Sequence, residues 1–174
     1  MWLRSPSPEA TFAAGRALGA CLTQGGLVIG LQGPLGAGKT LFVKGLAAGL
    51  GLEPGAIASP TFVIAHEHPL PGGRALIHVD LYRVESEAEL ENAGLLDWLG
   101  PDRVVVIEWC DRLPGALPED RLQVRIERDP DRDSHRRLNA IASGAGAQEV
   151  AARWGAALDR ASDRCGLEIE ARAP

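Results

Sequence analysis

The chain has 174 residues, 45% of them hydrophobic, and a net charge of −5, which predicts one globular domain able to form a core without covalent or metal cross-links. Its three cysteines, Cys21, Cys110 and Cys165, have no C-x-x-C spacing and indicate neither a disulfide framework nor a zinc site. No apolar run is long enough for a signal peptide or a membrane-spanning helix, so we expect a cytoplasmic protein.

The chain is predicted to start with a helix and a strand-loop-helix unit. Ser7 followed by Pro8 is typical of a helix start, and the helix is expected over residues 8–22. An apolar segment at residues 27–31 then predicts a strand, and residues 41–48 predict a second helix. A glycine-rich turn separates that strand from the helix.

The middle of the chain is predicted to contain a hairpin, a helix and a buried strand. A loop rich in Pro, Gly and Ala covers residues 52–60, and strands are expected at residues 61–65 and 74–79, joined by a turn. Helical spacing of leucines predicts one helix over residues 86–99. The continuous apolar run at residues 103–107 is typical of a strand buried on both faces.

Two further strands, at residues 122–126 and 137–141, and a helix near residues 149–160 are predicted to complete the chain. Together with the G-x-x-x-x-G-K-[ST] motif of the glycine-rich turn, these elements indicate an α/β fold: a single P-loop NTPase-like domain with a mixed, partly antiparallel sheet flanked by helices. We assign the domain to residues 1–145 and a C-terminal helical extension or tail to residues 146–174.

Arginines are densest over residues 121–137, but acidic side chains at Glu127, Asp129, Asp131 and Asp133 are interleaved with them. This pattern is typical of a solvated surface of mixed charge and differs from the basic stripe that binds a phosphate backbone. We therefore expect no tight nucleic-acid binding by this chain alone, and no DNA partner.

The glycine-rich turn carries the main motif. Gly33-Pro34-Leu35-Gly36-Ala37-Gly38-Lys39-Thr40 matches G-x-x-x-x-G-K-[ST], the P-loop that binds nucleotide phosphates. Its backbone N–H groups and the following helix N-terminus attract phosphate, Lys39 reaches the outer phosphates, and the Thr40 hydroxyl can bind Mg²⁺. The chain has only two lysines, Lys39 and Lys44, and one of them occupies the position where a compact ammonium is required.

Two apolar strands end in a carboxylate that is able to hold Mg²⁺ or its water. The first ends at Asp80 and the second at Glu108, so each resembles a Walker B strand. The residues alone do not choose between them.

The combination of motifs resembles one family. After the P-loop come Ser59-Pro60-Thr61-Phe62, then His78-Val79-Asp80-Leu81-Tyr82-Arg83, and finally Val106-Ile107-Glu108-Trp109. In order and spacing this set is similar to TsaE, the ATPase subunit of bacterial tRNA threonylcarbamoyladenosine synthesis. The resemblance covers about residues 5–145.

The resemblance implies a Mg²⁺-dependent ATPase that binds ATP and ADP and acts with the TsaD and TsaB proteins. These partners transfer a threonylcarbamoyl group to the adenosine beside the anticodon, and hydrolysis supports or resets that transfer. Contact with tRNA is implied only through the complex. No membrane partner is implied.

The resemblance also implies site residues. Thr40 and Glu108 would hold Mg²⁺, and Lys39, Asp80 and Glu108 would be catalytic. Asp80 would either orient the attacking water or belong to the metal shell, Thr61 would close over the γ-phosphate, and Thr11 would lie near the adenine. The implied nucleotide-binding residues are Thr11, Gly33, Leu35, Gly36, Ala37, Gly38, Lys39, Thr40, Leu41, Thr61, Asp80 and Trp109.

Several points stay open at the level of sequence. Tyr82 and Arg83 belong to the family pattern, but a structural salt bridge explains Arg83 equally well. His66 and His78 are interpreted as structural residues and left out of the site. Two other functions remain possible: a small-molecule phosphotransferase (kinase) with a P-loop, and a nucleotide-binding switch with negligible turnover.

Overall fold

The computed structural model describes residues 1–22, 24–60 and 64–170. The strands are β1 (Trp2–Ser5), β2 (Leu27–Gln32), β3 (Ala65–Pro69), β4 (Ala75–Asp80), β5 (Arg103–Glu108), β6 (Arg121–Arg128), β7 (Arg136–Ser143) and β8 (Glu168–Glu170). The α-helices are α1 (Pro8–Ala20), α2 (Lys39–Gly49), α3 (Glu87–Asn92), α4 (Leu95–Trp98) and α5 (Ala145–Cys165).

The described strands form one sheet in the order β3-β4-β5-β2-β6-β7-β1-β8. The four strands β4, β5, β2 and β6 run parallel to one another. The remaining pairs are antiparallel, with β3 on one side of this parallel centre and β7, β1 and β8 on the other. This mixed sheet with flanking helices confirms the predicted fold class.

Strand β5 shows why the sheet is buried on both faces. Val104 and Val106 pack in a core with helices α1, α2 and α5, whereas Val105 and Ile107 pack in a second core with α3 and α4. Successive side chains of a strand point to opposite faces, so a continuous apolar run has partners on both sides. The prediction for this strand is confirmed.

Helix α1 begins as the sequence predicts. The Ser7 side chain caps it by accepting a hydrogen bond from the Ala10 N–H, at 3.2 Å, and Pro8 is its first residue. The helix lies very close to α2, because a Cβ placed on Gly15 would come within 2.2 Å of the Phe42 carbonyl oxygen. This close packing places the N-terminal part of α1 next to the P-loop.

Helix α5 is longer than predicted and packs on the same core as α1 and α2. Trp154 is fully buried, its indole N–H donates to the Ala14 carbonyl at 3.0 Å, and its ring meets Phe42 edge to face. Strand β8 then pairs with β1. The boundary at residue 145 stays a prediction, and the chain beyond it adds a helix and a strand to the same sheet and core.

Two sequence-based elements are corrected by the structure. The first hairpin strand, expected at residues 61–65, is observed as β3 from Ala65, and residues 61–63 lie outside the described part of the chain. The single helix expected over residues 86–99 is broken into α3 and α4 at Gly94, which has φ 98°. Glycine tolerates this left-handed conformation, and the helix therefore stops there. In the described ranges, no helix combines the length and apolar character needed to cross a membrane.

Candidate nucleotide-binding site

The P-loop connects β2, at the centre of the sheet, to α2. Gly33 has φ 135° and Gly38, the residue before α2, has φ 108°, both in the region that favours glycine. Gly33 is also fixed by space, since a Cβ there would lie 2.0 Å from the Ile126 carbonyl oxygen. The glycines of the motif are thus required by the backbone path, and they bring the α2 N-terminus to the carboxyl edge of the parallel strands.

Lys39 points back into its own loop. It is 5% exposed, and its Nζ donates to the Gly33 carbonyl at 2.7 Å and to the Pro34 carbonyl at 3.0 Å. On the other side, the Nζ lies 3.5 Å from the centre of the Trp109 ring. Burial lowers the pKa of Lys39, and the nearby carboxylates of Glu108, Asp111 and Asp80 oppose this effect. The ammonium has contacts with the protein that an incoming phosphate would replace.

The two candidate acids stand side by side. Asp80 ends β4 and Glu108 ends β5, and the two residues are register partners across these parallel strands. Glu108 is buried, and its Oε2 accepts a hydrogen bond from the Thr40 hydroxyl at 3.2 Å. Its Oε1 lies 2.9 Å from His78 Nε2. Of the two acids, Glu108 is the one that contacts the P-loop threonine.

Asp80 has different partners. Its Oδ2 accepts a hydrogen bond from the Ser59 hydroxyl at 2.5 Å, and its Oδ1 accepts one from the Tyr82 N–H at 2.9 Å. Ser59 lies just before residues 61–63, which the structure does not describe and which include the predicted switch residue Thr61. Asp80 therefore links the end of β4 to the segment before Thr61.

The P-loop and both acids line one open cavity of about 410 Å³. Its lining consists of Leu35, Gly36, Ala37, Gly38, Lys39, Thr40, Ser59, Asp80, Tyr82, Arg83, Glu108 and Trp109. A cavity at the carboxyl ends of parallel strands, beside a helix N-terminus, is where open α/β sheets bind ligands. Most of the residues proposed for the site from sequence thus meet in one place.

Trp109 and Tyr82 form an aromatic wall of this cavity. Trp109 has φ 61° and is the one residue other than glycine with positive φ among those described. Its ring lies 4.9 Å from that of Tyr82, which is 45% exposed. A bulky side chain in a left-handed conformation is uncommon, and such residues cluster at functional sites.

Three of the proposed residues do not line the cavity as described. Gly33 shapes the loop behind it, and Leu41 lies half-buried on α2. Thr11 is buried in α1, where its hydroxyl pairs with Ser5 at 2.8 Å and its methyl group faces Gly38. The proposed contact between Thr11 and adenine stays a prediction, as does the role of Thr61, which lies outside the described residues.

Two contacts at the site were not predicted from the sequence. His78 is fully buried against Glu108, and alternation along β4 already places it on the same face as Asp80, which was a usable signal. Arg136, on β7, donates from Nε to the Ala37 carbonyl at 2.8 Å and thereby holds the P-loop from outside. No local pattern indicates this contact, because 99 residues separate its partners in the chain.

The oxygen donors of Thr40 and Glu108 fit the preference of Mg²⁺ for oxygen ligands. Within the described part of the chain, no group of three or more His, Cys, Asp or Glu side chains is arranged to hold a metal by itself.

Comparison with known proteins identifies the family. The sequence model of the family described as "Threonylcarbamoyl adenosine biosynthesis protein TsaE" matches residues 5–138. The chain belongs to the TsaE family. Among curated TsaE proteins, the one from Streptomyces coelicolor is 48% identical over 116 residues, covering 66% of this chain and 76% of the relative. The Bacillus subtilis TsaE protein is 38% identical over 138 residues, covering 79% of this chain and 84% of the relative.

The fold agrees with this assignment. The crystal structure of Bacillus subtilis YdiB superimposes with a TM-score of 0.68 and 31% sequence identity, covering 90% of this chain and 94% of that one. The family proposed from sequence motifs is therefore confirmed. TsaE membership and the P-loop together indicate a nucleotide-binding protein of the tRNA-modification system.

Proposed function

We propose that this TsaE-family protein binds ATP with Mg²⁺ and hydrolyses it in support of tRNA N6-threonylcarbamoyladenosine formation. The observation that carries the proposal is the contact between Thr40 and Glu108 at the N-terminus of α2, in the same cavity as Lys39. A phosphate-binding loop, an outer-phosphate lysine and an acid beside the loop threonine are the parts that P-loop hydrolases share.

In this proposal the backbone N–H groups of residues 36–40 surround the β- and γ-phosphates. Lys39 exchanges the Gly33 and Pro34 carbonyls for phosphate oxygens, and Trp109 moves off its ammonium. The exchange is favourable because a charged phosphate is a stronger acceptor than a neutral carbonyl.

Thr40 and Glu108 would hold Mg²⁺, directly or through water. Bound Mg²⁺ would supply charge neutralisation on the β- and γ-phosphate oxygens. Since Glu108 contacts Thr40 while Asp80 contacts Ser59 and Tyr82, we assign the metal to Glu108 and the attacking water to Asp80.

In hydrolysis, the oxygen of a water positioned by Asp80 forms a bond to the γ-phosphorus. The bond from that phosphorus to the oxygen bridging it to the β-phosphate breaks, and ADP leaves with the electron pair. The water protons end on the released phosphate and the solvent. Lys39 stabilises the charge on the transferred group throughout.

The link to tRNA modification rests on the family and on the names of the relatives, which are tRNA threonylcarbamoyladenosine biosynthesis proteins. We propose that the protein acts in the cytoplasm with TsaD and TsaB, and meets tRNA only through them. The kinase alternative would need a mobile arginine-rich lid, but the arginine-rich segment forms strands β6 and β7 of the sheet.

Phosphate release from ATP tests the proposal, with Mg²⁺ and with EDTA. We expect slow turnover that needs Mg²⁺, is abolished in Lys39→Ala and is retained in Lys44→Ala, the matched control that removes the only other lysine. Turnover at the wild-type rate in Lys39→Ala would contradict the role of the P-loop lysine.

The two acids are separated by a matched pair of isosteric variants. Glu108→Gln should lose the Mg²⁺ dependence of nucleotide binding, whereas Asp80→Asn should keep it and lose hydrolysis. The reverse result would make Asp80 the metal ligand.

Adding TsaD and TsaB completes the test of the proposed function. Rapid phosphorylation of a nucleoside or sugar, without binding to TsaD or TsaB, would replace our proposal by the kinase alternative.

A further inference from the structure

His78 is a buried residue to which the proposed chemistry assigns no role. It lies on β4, its side chain is 0% exposed, and its Nε2 lies 2.9 Å from Oε1 of Glu108. Its other ring nitrogen, Nδ1, is buried and has no hydrogen-bond partner among the described residues. Because a buried N–H without an acceptor is costly, we assign the ring proton to Nε2, which then donates to Glu108.

The two oxygens of the Glu108 carboxylate have different partners. One oxygen, Oε1, is held by His78, and the other, Oε2, faces the Thr40 hydroxyl and the cavity. A glutamate has several rotatable bonds, and fixing one oxygen removes most of the rotamer freedom that metal binding would otherwise have to restrict. Partners of this kind set the orientation of ligands in metal sites.

We propose that His78 is a positioning residue that orients Glu108 so that Oε2 is presented to Mg²⁺. The inference rests on the proposed function, because it takes Glu108 as the metal-holding acid. His78 touches neither nucleotide nor metal in this arrangement. It acts only through Glu108, and its effect belongs to metal affinity.

A merely structural role for His78 predicts something different. A buried histidine that only fills space would change the stability of the fold when replaced, but would leave the metal response of the folded protein unchanged. The discriminating measurement is therefore the Mg²⁺ dependence of ADP binding, followed by calorimetry, with thermal unfolding recorded for every variant.

Three variants form the test. His78→Leu keeps an apolar side chain in the space and removes the donor, whereas His78→Gln keeps an N–H at a comparable reach. His66→Gln is the matched control, because His66 lies opposite His78 in the β3–β4 register, on the edge strand, and takes the same substitution.

We expect His78→Leu to raise the Mg²⁺ concentration at half-saturation by about tenfold or more, as loss of such a partner does in other metal sites. ADP binding in EDTA should stay at the wild-type value. His78→Gln should recover most of the Mg²⁺ affinity, and His66→Gln should match the wild type. If His78→Leu does not fold, His78→Asn replaces it, and the shorter donor should be weaker than that of His78→Gln.

An unchanged Mg²⁺ concentration at half-saturation in His78→Leu would overturn the inference. So would a loss of Mg²⁺ affinity in His78→Gln equal to that in the variant without a donor of suitable reach, His78→Leu or His78→Asn. The outcome also separates it from the proposed function. If Mg²⁺ changes ADP binding to the same extent in the wild type and in the His78 variants, only the positioning role is overturned. If Mg²⁺ has no effect on ADP binding by the wild type, the positioning role and the proposed function are both overturned.

Discussion

The ammonium of Lys39 lies under the indole ring of Trp109, with 3.5 Å between the nitrogen and the ring centre. An exposed cation–π contact contributes on the order of 0.5–1 kcal/mol, and more where water is excluded. Both residues line the cavity, and the aromatic face covers one side of the Lys39 ammonium. Binding of a phosphate to Lys39 therefore has to change the surroundings of Trp109.

This relationship predicts an intrinsic fluorescence response. The chain has four tryptophans, and of these only Trp109 lines the P-loop cavity as described. Adding ADP with Mg²⁺ should change the emission of the wild type, and Trp109→Phe should lose that change while calorimetry still detects ADP binding. Trp98→Phe serves as the control and should keep the response. An undiminished response in Trp109→Phe would place the reporter elsewhere.

The left-handed backbone of Trp109 predicts an unusual order of stabilities. With φ 61°, this position costs an ordinary residue about 1 kcal/mol more than it costs glycine. Trp109→Gly and Trp109→Ala both lose the ring, so the difference between their free energies of unfolding reports the cost of the backbone conformation. We expect the glycine variant to be about 1 kcal/mol more stable in urea unfolding.

The same pair of substitutions at Arg112 is the control for this comparison. Arg112 lies in a short 3-10 helix (Cys110–Arg112) and does not have positive φ. There the alanine variant should be the more stable one, because glycine loses more conformational freedom on folding. If the alanine variant is also the more stable one at Trp109, the backbone of Trp109 is not under strain.

Local patterns explain what could be predicted from the sequence. The P-loop, β5 and the α1 start at Ser7 follow from short-range rules, namely spacing, a continuous apolar run and a capping side chain. The two apolar strands that end in Asp80 and Glu108 were also recognised, and their parallel pairing in the structure places both acids at the edge of the sheet that carries the P-loop.

What could not be predicted depends on partners distant in sequence. Strands β1 and β8 are short, and they exist because each pairs with the other and β1 also pairs with β7. The break at Gly94 was missed because an isolated glycine is compatible with a helical pattern. The residues alone likewise did not choose between Asp80 and Glu108. The family resemblance paired Glu108 with Thr40, and their contact depends on the register of the sheet and the direction of each side chain.

The contact of Arg136 with the P-loop predicts an effect on nucleotide affinity. Its guanidinium donates to the Ala37 carbonyl at 2.8 Å, and this bond fixes the orientation of that carbonyl and of the peptide group that it belongs to in the P-loop. Hydrogen bonds from a charged donor contribute about 1.5–3 kcal/mol, so Arg136→Ala should weaken ADP binding by about tenfold.

Two further variants separate this geometry from charge. Arg136→Lys keeps the charge but loses the planar fork, and should restore only part of the affinity. Arg125→Ala removes an exposed arginine on β6 that pairs with Glu127 at 3.0 Å, and should leave the affinity for ADP unchanged. A loss in Arg125→Ala as large as in Arg136→Ala would point to overall charge instead of the loop contact.

The contacts of Asp129 predict how acid affects the stability of the β6–β7 turn, which leads into Arg136 at the start of β7. The Asp131 N–H donates to its Oδ1 at 3.0 Å and Arg137 Nε donates to its Oδ2 at 2.9 Å. The backbone hydrogen bond from Asp131, followed by the bond from Arg137, lowers the pKa of Asp129 below its ordinary value of 3.8. The stabilisation is thus present above that value and is lost as the pH falls through the lower pKa of the folded state.

The expected result is a difference in the free energy of unfolding between the wild type and Asp129→Asn that is constant near neutral pH and shrinks below about pH 4. Asparagine cannot accept the same charge-assisted bonds, but it does not titrate, so its own stability provides the reference. Urea unfolding of both proteins across this range measures the difference. A difference that grows on acidification would have the opposite sign, and would mean that the folded protein binds the protonated carboxyl group of Asp129 more favourably than the carboxylate.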